Sequence, residues 1–228
     1  MTDWTVKYAP KSLHEVMGNS EAVRAFHEYI NNPESMPHLM LDGFTGTGKT
    51  TMVRILVDSI IGDQKMNIKE MNASNDRGID TIRKEIISFM RYVPWGDVPF
   101  KILVLDEADA ITREAQECLK APLEKYKHNC RVIFLCNDGN KIIPEIRLGR
   151  CTVFQFKPLK ERDIVDRLKY ILNQEGINNG FDLELIYRKS GGSMRAAIAI
   201  LQQMVQSKSN SGESEIDEIE KIIKAYSV

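Results

Sequence analysis

Gly43-Phe44-Thr45-Gly46-Thr47-Gly48-Lys49-Thr50 fits the phosphate-loop pattern G-x-x-x-x-G-K-[ST] at every position, and its reading decides the fold. The glycines let backbone N–H groups turn inward on an anion, while Lys49 sets a point charge against the outer phosphates of a nucleotide. Thr50 offers a hydroxyl to Mg²⁺. The helix beginning near Lys49 adds unpaired N–H groups and the positive end of its dipole. His38-Leu39-Met40-Leu41 reads as a short buried strand ahead of the loop, and Met52, Val53, Ile55, Leu56 and Val57 follow it at helical spacing. Strand, glycine loop and helix in that order are the context the motif requires.

The 228 residues suffice for one large domain or a medium domain with a small one. With 43% hydrophobic and 28% charged residues the composition is globular. A net charge of -1 supplies no global positive field for nucleic acid, so any such binding falls to local clusters. No apolar run approaches a membrane span and Met1-Thr2-Asp3-Trp4 is not a signal peptide, so a cytoplasmic protein is expected. Cys118, Cys130, Cys136 and Cys151 form no C-x-x-C pair and have no His at zinc spacing. They read as reduced packing thiols.

Along the chain, residues 1–37 form an arm followed by a helix-like segment at 21–30. Residues 66–71 read as a second strand, 72–78 as a polar turn-rich loop, and 79–90 as a helix carried by Ile79, Ile82, Ile86, Ile87 and Met90. Residues 100–105, continuously apolar after Lys101, suit a strand buried on both faces of a parallel sheet, and the run ends on Asp106-Glu107-Ala108-Asp109. A carboxylate at that strand end can hold Mg²⁺ through water, as Asp106 would, while Glu107 can orient the water that attacks a γ-phosphate. Residues 112–126 form a helix that Pro122 should kink or shorten. Residues 131–136 make a fourth strand leaving on Asn137, where a side-chain amide sits near a γ-phosphate. A fifth strand covers 152–156, and Lys157-Pro158 marks a boundary. Beyond it, Ile164, Val165, Leu168, Ile171 and Leu172 keep helical spacing, as do Met194, Ala197, Ile198, Leu201 and Val205. Ser193 is a plausible cap, and residues 215–226 suit a last helix. The expectation is an α/β P-loop fold with a five-stranded parallel sheet (residues 1–158) and a small all-helical lid (residues 159–228).

These units, the Asp-Glu strand end, the later strand-end Asn and the helical lid describe the AAA+ ATPases. Finer motifs resemble the small subunit of replication factor C, the clamp loader of archaea and eukaryotes. Trp4-Thr5-Val6-Lys7-Tyr8-Ala9-Pro10 looks like that family's opening Trp-x-x-Lys-Tyr-Arg-Pro, and residues 72–80 are close to its Asn-Ala-Ser-Asp-Glu-Arg-Gly-Ile-Asp. Leu105-Asp106-Glu107-Ala108-Asp109-Ala110 matches its Walker B stretch, Cys136-Asn137 its sensor 1, Gly149-Arg150-Cys151 its Ser-Arg-Cys and Gly192-Ser193-Met194-Arg195 its sensor 2. The resemblance covers essentially the whole chain.

It implies an ATPase subunit that uses ATP and Mg²⁺ to open a sliding clamp and load it on primer-template DNA, alongside other large and small loader subunits. Nucleotide contacts would come from Val6, Tyr8, Gly43, Thr45, Gly46, Thr47, Gly48, Lys49, Thr50, Thr51 and Asp106, with Thr50 and Asp106 serving the metal. Glu107 and Asn137 would act at the γ-phosphate, Arg195 would touch it from the lid, and Arg150 would reach a neighbouring subunit's ATP. Arg77, Arg83, Lys84 and Lys141 are the candidate DNA contacts, and Leu123 and Tyr126 the candidate clamp anchors. The location would be the nucleoid in an archaeon or the nucleus in a eukaryote.

Some positions depart from the family: Ala9 for Arg beside the adenine pocket, Phe44-Thr45 for Pro-Pro, Lys120-Ala121-Pro122 for Arg-Arg-Thr, and Gly149 for Ser. The family's third, collar domain is also not matched. The rival readings are a subunit that holds nucleotide with little hydrolysis, and a related AAA+ DNA motor such as a branch-migration helicase.

Overall fold

The computed structural model describes residues 2–75, 80, 82–177 and 180–208, with the side chains of Ile82, Arg83 and Lys208 outside the description. In chain order the elements are α1 (Trp4–Lys7), α2 (Ser20–Asn31), β1 (His38–Gly43), α3 (Lys49–Ile61), β2 (Ile68–Asn72), α4 (Ser88–Arg91), β3 (Lys101–Asp106), α5 (Arg113–Lys125), β4 (Cys130–Cys136), α6 (Pro144–Arg147), β5 (Cys151–Phe156), α7 (Glu161–Gln174), α8 (Leu183–Ser190) and α9 (Met194–Lys208). By contacts the chain divides into two compact units, one of residues 19–43 and 49–156, the other of residues 1–18, 44–48 and 157–228.

The first unit holds the five-stranded sheet, ordered β2-β3-β4-β1-β5. Every pairing is parallel, with Leu41 opposite Leu135 and Phe154, and Leu105 opposite Phe134. All carboxyl ends therefore share one rim, which gathers Gly43, Asp106 and Asn137. Central strands of such a sheet are covered on both faces, which explains the unbroken apolar runs Leu39-Met40-Leu41 and Ile102-Leu103-Val104-Leu105, all buried. Met40, Leu103, Leu105 and Phe134 pack with Ala115, Leu119 and Leu123 of α5 in one core. Each large side chain so buried contributes about 1.5–3 kcal/mol.

Three expectations within this unit need correcting. α5 is not shortened by Pro122: it starts at its Thr112 cap, which accepts from the Ala115 N–H, and runs on to Lys125. An interior proline costs a helix about 3 kcal/mol, and burial of Ala115, Leu119 and Leu123 outweighs it. The segment expected as an ordinary helix over 79–90 is helical where it is described, residues 79 and 81 lying outside the description, but it winds as a π-helix over Ile82–Ile87 before the short α4. Ile86 of the π-helical turn and Met90 of α4 both reach the core. The second strand starts at Ile68, because Met66 lies exposed in a 3₁₀ turn.

In the other unit, Trp4 and Tyr8 pack with Leu159, Ile164, Leu168, Ile171, Ile186, Ala197 and Leu201. The N-terminal arm is tied to α9 by the Trp4 N–H donating to Gln202 Oε1 at 2.9 Å. Asp182 caps α8 through the Leu185 N–H. Ser193 caps α9, accepting from the Ala196 N–H at 3.3 Å, as its place after Gly191-Gly192 suggested. The helix expected over residues 215–226 lies outside the described residues. No helix among the described residues is long and apolar enough to cross a membrane.

Candidate nucleotide-binding site

β1 delivers the chain to the loop and α3 starts at Lys49, so the strand-loop-helix order read from the motif is present. Within the loop, the Thr47 hydroxyl donates to the Phe44 carbonyl at 2.7 Å and closes the turn. Gly46 has φ +72°, and a Cβ there would stand 2.0 Å from Ser193 Oγ. Only glycine fits, because the Met194 N–H donates to the Gly46 carbonyl at 3.0 Å and holds the loop against the start of α9. Arg195 is exposed in the first turn of that helix, its Cβ near Gly46.

Lys49 is 9% exposed. Its ammonium donates to the Gly43 carbonyl at 2.5 Å and to Asn137 Oδ1 at 3.4 Å. Burial lowers the lysine's pKa, and Asp42, Asp106 and Asp109 are among the groups working the other way. A desolvated cation facing acceptor oxygens suits the phosphate the motif demands. Asn137 is fixed in turn, its N–H donating to Asp109 Oδ1 at 3.3 Å, while Asp109 Oδ2 pairs with Lys141 at 3.7 Å. So Lys49, Asn137, Asp109 and Lys141 form one chain of polar contacts along the sheet rim.

Asp106 ends β3 and accepts the Glu107 N–H at 2.9 Å. Glu107 has φ 51° and ψ 39°, a left-handed conformation rare for a side-chain-bearing residue. Holding it costs roughly 1–3 kcal/mol, and the result is an exposed carboxylate at the sheet rim. Thr50 is exposed in the first turn of α3 and Thr51 half-buried beside it. A hydroxyl and a carboxylate are hard oxygen donors, the set Mg²⁺ prefers.

Arg150 is held within its own unit: Nη1 donates to the Glu145 carbonyl at 2.7 Å and Nη2 approaches Glu124 at 3.4 Å, while the buried Nε has no partner. Val6 is 70% exposed. Tyr8 is buried, its hydroxyl donating to Glu175 Oε1 at 2.7 Å and its carbonyl accepting from Arg167 Nη2 at 2.7 Å. Trp4 and Tyr170 meet its ring edge-on. Burial first, then the Glu175 bond, raises the Tyr8 pKa.

Arg77 lies outside the described residues, as does the Arg83 side chain. Lys84 is exposed, and Lys141 is exposed apart from its Asp109 pairing. The clamp-anchor expectation for Leu123 is corrected: the side chain is 0% exposed and packs in the sheet core. Tyr126 is half-buried against the same core. The four cysteines are free, and burial pushes the Cys130 and Cys151 thiols up to about 12.

Sequence reasoning passed over Arg167, Glu175 and Asp42. Arg167 interrupts the apolar stripe of Ile164, Leu168 and Ile171, and Asp42 ends the apolar strand ahead of the loop, so each had a signal as a charge where the pattern calls for an apolar residue. Glu175 had none, since it follows α7 in an ordinary polar turn.

Residues 39–159 match the model of the ATPase family associated with various cellular activities (AAA). The replication factor C small subunit of Methanococcus vannielii is 43% identical over 217 residues, covering 93% of this chain and 68% of that protein. The replication factor C small subunit of Thermofilum pendens is 43% identical over 201 residues, covering 87% of this chain and 61% of its own length. The chain thus spans about two thirds of the relatives it matches. In structure it is similar to the Thermotoga maritima RuvB Holliday junction branch migration motor, with TM-score 0.73, 16% identity, and coverage of 95% of this chain and 72% of that one. At that identity the likeness speaks to the fold alone.

Proposed function

Because the chain belongs to the AAA ATPase family and, within it, to the replication factor C small subunits, we propose that it is an ATPase subunit of a loader that opens a sliding clamp and places it on primer-template DNA. The observation that carries the reading is Lys49, buried, bonded to Asn137 and within the electrostatic reach of Asp106 at the end of β3. In this reading residues 1–158 are the nucleotide-binding domain and residues 159–228 its lid. ATP is the substrate, with Val6 and Tyr8 toward the base and residues 43–51 toward the phosphates. Thr50 and Asp106 would hold Mg²⁺, which would supply neutralisation of phosphate charge.

Glu107 orients the attacking water, and Asn137 fixes its far side while Lys49 anchors the amide. Arg195 senses the γ-phosphate in cis. Arg150 leaves Glu145 and Glu124 to reach the ATP of an adjoining subunit, where such an arginine is worth about 10³–10⁵ in rate. Arg77, Arg83, Lys84 and Lys141 follow the DNA backbone through salt-sensitive, sequence-independent contacts.

The test changes Glu107 to Gln in this subunit alone, within the complex it forms with partner loader subunits. Nucleotide binding should survive while this subunit's share of turnover falls by about 10²–10⁴. Unchanged turnover would instead favour a subunit that holds ATP and relays conformation. That second reading draws on Ala9, Phe44, Thr45 and Ala121, where the chain departs from the family's pattern.

A further inference from the structure

Asp42 is a charged residue near the end of the central strand β1, directly after the apolar run Leu39-Met40-Leu41 and one position before Gly43. It is only 7% exposed. Both carboxylate oxygens are engaged, Oδ1 accepting from the Gly139 N–H at 2.7 Å and Oδ2 from Gln155 Nε2 at 2.8 Å. Gln155 stands directly opposite Asp42 on β5. Gly139 lies in the turn that follows β4, two residues after Asn137. The fit is close, since a Cβ on Gly139 would come within 2.7 Å of the Asp42 carboxyl. The same turn is held at its far end by buried Gln116, whose side chain donates to the Lys141 carbonyl and accepts from the Ile143 N–H. Asp42 is also the leading carboxylate opposing the effect of burial on Lys49.

An aspartate here is a costly choice for a strand end. Burying a carboxylate is unfavourable unless its oxygens are bonded, and removing one partner of such a bond leaves a buried charge unsatisfied. Both bonds go to elements flanking β1, so the carboxylate ties the turn after β4 to the strand that feeds the phosphate loop. Asn137 enters that turn and meets Lys49 through its side chain. Displacement of Gly139 moves Asn137, and reacting geometry tolerates little displacement.

We propose that Asp42 is a positioning residue: braced by Gln155, it anchors the Gly139 N–H and so sets where the Asn137 amide stands relative to Lys49. Its effect on rate rests on the ATPase reading above, whereas its hold on the turn does not.

The test uses the full chain with Asp42→Ala, Asp42→Asn and Gly139→Ala, following ATP turnover in the assembled complex and hydrogen exchange of the free chain over residues 137–141. Asparagine keeps an acceptor for Gly139, and exposed Gln155 can turn its own amide to match. Asp42→Asn should therefore stay within about threefold of the unaltered protein in both readouts. Asp42→Ala should speed exchange over 137–141 by about tenfold or more and lower kcat by at least about tenfold, with KM within about threefold. Gly139→Ala should reproduce the kcat loss with Asp42 intact, which covers the case in which Asp42→Ala fails to fold. Exchange unmoved by Asp42→Ala, or equal kcat losses in the alanine and asparagine variants, would overturn the proposal. If the unaltered complex hydrolyses no ATP, the ATPase reading fails and the exchange comparison alone decides the role of Asp42.

Discussion

Lowering the pH from 8 to 5 is expected to weaken the sheet unit by about 2 kcal/mol through His38 alone. The ring is buried between β1 and β4, where Nδ1 accepts the Val132 N–H at 3.0 Å. Nε2 therefore carries the proton and donates to the Leu123 carbonyl at 2.8 Å. A second proton would have to displace the Val132 bond in a dry interior, close to Arg131, Lys127 and Arg150. The folded-state pKa is accordingly lowered to about 4, with burial the chief cause. An unfolded His takes up its proton near pH 6.5, so between about 6.5 and 4 the unfolded chain binds more protons than the folded one. Stability is then complete above pH 6.5 and falls as pH drops, by about 2 kcal/mol at pH 5 and about 3 kcal/mol below pH 4. Urea unfolding at pH 8 and pH 5 measures it, with Trp4→Phe leaving Trp95 as the reporter of the sheet unit. The comparison is His38→Gln, which is weaker at pH 8 by about 1–3 kcal/mol for the orphaned Val132 N–H. It should lack His38's share of the pH dependence. Equal losses between pH 8 and 5 in the two proteins would refute the reasoning.

Leu123→Ala should cost about 2–5 kcal/mol, read as a lowered Tm, because the side chain fills a closed part of the core; a change below about 0.5 kcal/mol would mean the residue is surface-facing. Gly46→Ala should abolish binding of a fluorescent ATP analogue, since the added carbon meets Ser193 Oγ and the backbone there is left-handed; undiminished binding would show that the loop conformation is not the binding one. Arg167→Met, which keeps the bulk of the side chain but leaves the Tyr8 carbonyl unpaired, should lower the Tm through loss of roughly 1–3 kcal/mol; an unchanged Tm would show that the bond carries no net stability.

The sheet and the rim were legible because their signals are local. A parallel strand buried on both faces writes an unbroken apolar run, and the residue that ends it must be the one on the rim, so Asp106 and Asn137 could be placed by counting. The strand order was not legible, since β1 lying between β4 and β5 is a long-range pairing that no short window records. Pro122 misled because helix propensity is local while the burial of Leu119 and Leu123 that overrides it is tertiary. Leu123 illustrates a similar limit: position after the Walker B stretch carries a family role, but only the packing tells which face the side chain takes. The π-helical turn at Ile82–Ile87 was hidden for a comparable reason, since spacing of apolar residues does not distinguish a hydrogen-bond ladder of four from one of five. Asp42 was visible as an exception to the pattern, yet its two partners come from elements about a hundred residues away along the chain.

The most direct test of the central claim is ATP hydrolysis by this chain alone and mixed with partner loader subunits, with and without clamp and primed DNA, each set against Arg150→Ala. Low activity alone, a rise on assembly, and loss of that rise with Arg150→Ala are expected. Measurable ATP binding with no hydrolysis in any mixture would contradict that claim.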